Sequence, residues 1–134
     1  MSGPPQYPTL RPPTDGQRLL ARYMEEEQLE GHIASLVAAL GGLFYHTRDS
    51  QRSAAGFPDD VLWLPSRPDV LIIAELKRDA YHKPRWSPEQ LTWRAALEGV
   101  SRLEYYAWEP IHWLTGTIEA ALTGSEGRSR AQLR

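Results

Sequence analysis

At 134 residues and 15.2 kDa the chain is the size of one domain, large enough to bury roughly two-thirds of the surface that its unfolded form exposes. Its 41% hydrophobic and 24% charged residues exclude a chain disordered throughout, and no apolar run approaches the roughly 20 residues that span a bilayer. A net charge of −2 excludes a protein that coats nucleic acid by bulk electrostatics, but it leaves room for a local cleft whose carboxylates are partly neutralised by a bound cation.

The N-terminus lacks the basic start and apolar stretch of a secretory leader, so a cytoplasmic location is expected, with no membrane partner. Without cysteine there is no disulfide framework and no thiolate zinc site. His32, His46, His82 and His112 do not fall at zinc-ligand spacings, so any metal is expected to be held by oxygen.

Residues 1–13 contain Pro4, Pro5, Pro8, Pro12 and Pro13 with few apolar side chains, which predicts a flexible arm. Thr14 and Gln17 have the spacing of a capping box and open one long helix that ends before Gly41 and Gly42, with Leu29, Ile33, Leu36, Val37 and Leu40 as its buried stripe. A short strand at 43–45, a polar loop at 46–56, a strand at 61–64 and an apolar, β-branched strand at 70–76 follow, the last two paired as an antiparallel hairpin. Ser87, Pro88 and Gln90 supply an N-cap, a proline in the first turn and a capping-box glutamine, and Gly99 supplies the stop, so a helix lies between them. A strand at 103–108, a final helix at about 110–122 and a Gly, Ser and Arg tail at 123–134 complete the chain. The order α-β-β-β-α-β-α describes an α/β domain over 14–122.

Glu75 and Lys77 stand two apart in the third strand, so they project from the same face. A carboxylate at the end of so apolar a strand is costly to bury unless a cation or hydrogen bonds compensate it. An internal Glu–Lys salt bridge would also account for the pair. Upstream, Gly56-Phe57-Pro58-Asp59-Asp60 shapes a turn that delivers Asp59 to the start of the second strand. The hairpin then brings Asp59 beside Glu75 although they are sixteen positions apart. Asp and Glu oxygens are what a hard divalent ion such as magnesium requires, typically one or two carboxylates with several retained waters. Asp59 as an ordinary turn residue is the alternative. Of the helix-one acids Glu25, Glu26, Glu27 and Glu30, Glu26 lies nearest the apolar stripe and is the candidate third acid, unless the acidic half of that helix is simply solvated.

These blocks carry a family resemblance. His46-Thr47-Arg48-Asp49-Ser50, Ser53-Ala54-Ala55-Gly56-Phe57-Pro58-Asp59, Ala74-Glu75-Leu76-Lys77 and Ser87-Pro88-Glu89-Gln90, taken in that order, resemble the VRR-NUC branch of the PD-(D/E)XK nucleases. The likeness covers roughly residues 25–113. It implies a restriction-endonuclease-like αβββαβ core, a mixed central sheet flanked by helices. It also implies that Asp59, Glu75, the backbone carbonyl of Leu76 and Glu26 bind Mg2+, with Mn2+ able to substitute. Lys77 would then orient the attacking water or stabilise charge on the phosphate, and Gln90 would support the site. His46, Arg48 and Ser50 become candidates for substrate contact or site support; a packed strand end is the other reading of His46.

Two departures from the family pattern stand out. Asp60 occupies a position that is usually apolar, leaving open whether it replaces or assists Asp59. The link from Arg78 to Trp86 is longer than usual, and its Arg78, His82, Lys83 and Arg85 are candidates for phosphate contact or a solvated basic loop. Trp86 in that loop is a candidate for stacking on unpaired bases, while Trp63, Trp93, Trp108 and Trp113 are expected in packing roles.

The expected function is phosphodiester hydrolysis in DNA, a metal-dependent endonuclease acting on branched or structured DNA. Family members that stand alone resemble Holliday junction resolvases in size, which implies a homodimer. A DNA-binding or assembly module that keeps the fold without cleavage is the alternative. No glycine-rich phosphate loop supports a nucleotide-binding reading.

Overall fold

The structure is a computed structural model that describes residues 4–47 and 54–124. Within them the chain runs α1 (Asp15–Tyr23), α2 (Glu26–Ala39), β1 (Leu43–His46), β2 (Asp60–Trp63), β3 (Leu71–Leu76), a single 3-10 turn (Ala80–His82), α3 (Pro88–Glu98), β4 (Leu103–Trp108), α4 (Pro110–Leu114) and α5 (Thr117–Thr123). None of these helices is long and apolar enough to cross a membrane.

The four strands form one mixed sheet in the order β1-β2-β3-β4. β2 pairs antiparallel with β1 and β3, and β3 pairs parallel with β4 across the α3 crossover that a parallel pair needs. The central strand β3 reads as a continuous apolar run because both of its faces are covered. Ile72, Ala74 and Leu76 join Leu29, Ile33 and Val37 of α2 and Ile118, Ala121 and Leu122 of α5 in the main core. Ile73, on the other face, packs with Leu97 of α3 and Tyr105 of β4.

The helix expected after Ser87 is present with the expected ends. Ser87 Oγ accepts from the Gln90 N–H at 3.1 Å, Gln90 Oε1 accepts from the Ser87 N–H at 2.9 Å, and Gly99 is the C-cap. The long first helix is instead two. Met24 leaves the helical region (φ −82°, ψ 123°), and Gln28 Oε1 accepts from the Glu25 N–H at 2.8 Å to start α2. The final helix is also divided, at Gly116, whose φ of 78° is left-handed and cannot continue a helix. The segment 4–13 has neither helix nor strand, yet it lies on the domain. Arg94 donates to the Pro5 carbonyl at 2.7 Å, the Leu10 N–H donates to Thr117 Oγ1 at 2.8 Å, and Tyr7 packs against Tyr105 and Tyr106. One aromatic anchor supplies the apolar contact that the proline-rich composition concealed.

Gly56 fixes how the turn before β2 meets α3. Its φ is +81°, and a Cβ there would lie 2.5 Å from the Glu89 carbonyl carbon and 2.6 Å from the Gln90 nitrogen. The turn thus rests directly on the first turn of α3. Gly56→Ala is expected to destabilise by about 1–3 kcal/mol or more, through overpacking and a disfavoured φ. Gly31→Ala, where an added Cβ meets nothing within 4 Å inside α2, is expected to stabilise by about 0.5–1 kcal/mol. Urea denaturation of both variants measures the contrast.

Candidate functional site

The site is built at one end of the sheet, where Asp59 immediately precedes β2 and Asp60 opens it. Asp60 lies on the face of Leu62 and Leu64, against α2, and is 0% exposed. Asp59 turns instead to β3. Its Oδ2 accepts the Leu76 N–H at 2.8 Å, and its carboxyl group hydrogen bonds with that of Glu75. The hairpin therefore brings Asp59 beside Glu75 as the sequence implied, close enough for each carboxyl group to act on the other.

Glu75 and Lys77 share the α3-side face with Ile73 and are 4% and 8% exposed. Gln90 reaches down from α3 to both: its Nε2 donates to Glu75 Oε2 at 3.1 Å, and its Oε1 accepts from Lys77 Nζ at 3.1 Å. Lys77 also donates to the Arg85 carbonyl at 2.7 Å, lies 3.6 Å from Glu75 Oε2 and sits 4.8 Å from the Trp86 ring centroid. Burial, reinforced by the Asp59 charge, pushes the Glu75 carboxyl up to about 8 despite the nearby Lys77. Burial also raises Asp59, against the lowering effect of the Leu76 N–H. Glu26, at the start of α2, is raised by partial burial and by Asp59, while the Arg78 N–H donates to it. Its side chain is largely exposed, so it stands at the rim of this group. A pair of carboxyl groups this close shares a proton when no cation is present, and the oxygen-rich donor set suits a hard divalent ion.

A second cluster lies on the opposite face. His46 and Asp60 are direct cross-strand partners in the β1–β2 ladder, with His46 Nδ1 at 3.0 Å from Asp60 Oδ1. Glu30, one helical turn beyond Glu26, forms an ion pair with the same Nδ1. One donor atom from each of Glu30, His46 and Asp60 lies within 4.8 Å of the other two, a grouping that could hold a metal ion. Burial raises Asp60 far above the ordinary carboxylate range, with further contributions from Glu30, Asp59 and Glu75.

Several expectations change here. A histidine also joins an acidic grouping, because His46 meets Glu30 and Asp60 through tertiary structure and not through sequence spacing. His46 contacts Glu30 and Asp60. Asp60 neither replaces nor joins Asp59 at Glu75; it points to the other side of the sheet. Arg78 turns back to α1, where its Nη2 donates to the Arg22 carbonyl at 2.9 Å. Lys83 and Arg85 are exposed, but Arg85 reaches the cluster through its carbonyl. Trp86 is half-buried in the second core group, with Arg94 5.1 Å above its ring. Arg48 and Ser50 lie outside the described residues. Glu30 joins this cluster although Glu26 is the acid nearest the apolar stripe; its i+4 relation to Glu26 puts both acids on one helix face.

The raised Glu75 has a measurable consequence. Its pKa is about 8 in the folded chain against an ordinary 4.5, so its favourable protonated form is fully present below the unfolded value and lost as pH rises through the folded value. The cation-free melting temperature is expected to fall between about pH 5 and pH 8. Glu75→Gln, neutral throughout, is expected to flatten part of that slope; Glu109, raised by burial to about 7, leaves a remainder. A slope unchanged in Glu75→Gln would contradict the burial of an ionisable Glu75.

No family model matches the chain, and no curated protein matches it. Among solved structures it is similar to one described as "VRR_NUC domain", with a TM-score of 0.55 and 21% sequence identity over 70% of this chain and 94% of that one. The mixed four-stranded sheet, the hairpin of β2 and β3, the α3 crossover and the parallel β4 correspond to the core expected from the sequence blocks. The chain carries the restriction-endonuclease-like fold of a VRR-NUC domain.

Proposed function

We propose that the protein is a metal-dependent nuclease that hydrolyses DNA phosphodiester bonds, with Asp59, Glu75, Lys77, Gln90 and Glu26 at its active centre. The observation that carries this reading is the meeting of Asp59 and Glu75 from neighbouring strands, tied through Gln90 to a buried Lys77. Such a group has no packing purpose: paired buried acids cost stability unless a cation compensates them.

Asp59, Glu75, the Leu76 carbonyl and Glu26 would hold a divalent ion, Mg2+ or Mn2+. When bound, that ion supplies polarisation of a phosphodiester and a lowered pKa for an attacking water. The chain's own residues do the rest. The Leu76 N–H fixes one Asp59 oxygen and leaves the other for the ion. Gln90 orients Glu75 and Lys77 with one amide. Lys77 has two of its ammonium hydrogens committed to Arg85 and Gln90, so its charge is held in place beside Glu75, where it can stabilise charge growing on a phosphate. Exposed Lys83 and Arg85, with Arg48 and Ser50, are proposed contacts for the DNA backbone.

The finer reading is an endonuclease on branched DNA, resembling a junction resolvase and acting as a homodimer. It follows from the family resemblance and the small size of the domain.

The test is cleavage of labelled four-way junction, flap, nicked and linear DNA with Mg2+ or Mn2+. Cutting is expected on at least one substrate and should stop with a chelator. Lys77→Met is expected to slow it by roughly 10²–10³-fold, the usual cost of a lost electrostatic contact to the transition state. Glu75→Gln is expected to abolish both cutting and tight binding of the ion. Binding of DNA without cleavage of any substrate would establish the silent-module alternative instead.

A further inference from the structure

The Glu30, His46 and Asp60 cluster is not part of the Asp59 and Glu75 centre. Strand alternation puts Asp60 on the α2 face while Glu75 and Lys77 face α3. We propose that Glu30, His46 and Asp60 form a second cation site, which takes a d-block divalent ion such as Zn2+ and clamps α2 to the β1–β2 edge of the sheet. The inference goes beyond the nuclease reading and does not need it.

The three side chains are near enough to one another to share an ion. The three donor atoms lie within 4.8 Å of one another. The 3.0 Å between His46 Nδ1 and Asp60 Oδ1 is close to the ~3.3 Å separating neighbouring donors of a tetrahedral ion with bonds of ~2.0 Å. Rigid elements fix the donors. His46 and Asp60 face each other in a strand ladder, and Glu30 comes from the second turn of a helix whose apolar stripe is packed on the same sheet face.

An independent observation asks for a cation. Asp60 is 0% exposed, yet its Oδ2 has no hydrogen-bond partner. Leaving a buried carboxylate oxygen unmatched costs free energy that hydrogen bonding or an ion would recover. The imidazole does not recover it, because a single Nδ1 lies between Asp60 Oδ1 and Glu30. An ion does, since a carboxylate that ligates can use either oxygen. The donor set also selects the ion. A ring nitrogen with two carboxylates suits Zn2+ and its neighbours, whereas Mg2+ takes oxygen and keeps its waters. The chain would thus carry two sites of different chemistry on the two faces of one sheet.

The experiment uses the full chain carrying Asp59→Asn and Glu75→Gln together, so that the other carboxylate pair cannot contribute. Calorimetric titration with Zn2+ is expected to give one equivalent bound per chain. Co2+ is expected to give the visible absorption of a nitrogen-ligated ion, and Zn2+ to raise the melting temperature. Adding His46→Gln or Asp60→Asn is expected to weaken Zn2+ binding by roughly 10–100-fold or more, with the fold checked by circular dichroism. If Asp60→Asn does not fold, His46→Gln decides, since the His46 side chain is 30% exposed at the sheet edge and is not core. No Zn2+ binding in the Asp59→Asn, Glu75→Gln chain would overturn the proposal, and so would binding that survives His46→Gln, which would mark an adventitious ion only. Every readout is metal binding or melting, so absence of DNA cleavage leaves the result intact.

Discussion

Two carboxyl groups buried in contact cannot both be ionised unless something positive stands between them. The end of this sheet presents that constraint twice. Asp59 immediately precedes β2 and Asp60 opens it, and the alternation of side chains sends them to opposite sides. Each then meets another acid, Glu75 across the hairpin on the α3 side and Glu30 of α2 on the other. Gln90 and Lys77 contact Glu75 of the first pair, and His46 contacts both acids of the second. Apolar side chains at these positions would avoid the cost of burying paired acids, as Leu62, Ile72, Ala74 and Leu76 do in the main core.

The scaffold and the chemistry share parts. Gln90 Oε1 closes the capping box at the start of α3 and at the same time receives Lys77, while its Nε2 holds Glu75. The direction of the helix and the orientation of the polar group are therefore set by one amide. Gly56 completes the linkage, because the turn that ends in Asp59 rests on the backbone of Glu89 and Gln90 with no room for a side chain. Movement of α3 relative to the hairpin would disturb Asp59, Glu75 and Lys77 together. That coupling is what a preorganised site requires.

Much of this was legible from residues alone, and for local reasons. Ser87, Pro88, Gln90 and Gly99 each have a backbone role that few other positions can give them, so α3 came out with its ends correct. Asp59 and Glu75 could be brought together because an antiparallel hairpin fixes which ends are neighbours. The break between α1 and α2 was hidden, since Met24 and Glu25 contain neither glycine nor proline and only the Glu25 and Gln28 spacing marked a new start. The final helix carried its warning at Gly116. The Glu30, His46 and Asp60 cluster was not legible, because it joins a helix and two strands whose mutual placement is tertiary. Alternation along β2 would nonetheless have put Asp60 on the face of Leu62 and Leu64, where a bare carboxylate needs a partner.

The central claim is that Asp59 and Glu75 together receive one divalent ion. Anomalous diffraction from crystals of the chain equilibrated with Mn2+ tests it most directly. A manganese peak bridging the carboxyl groups of Asp59 and Glu75 beside the Leu76 carbonyl is the expected result. A well-ordered map with no peak there, or with manganese only among Glu30, His46 and Asp60, would contradict it.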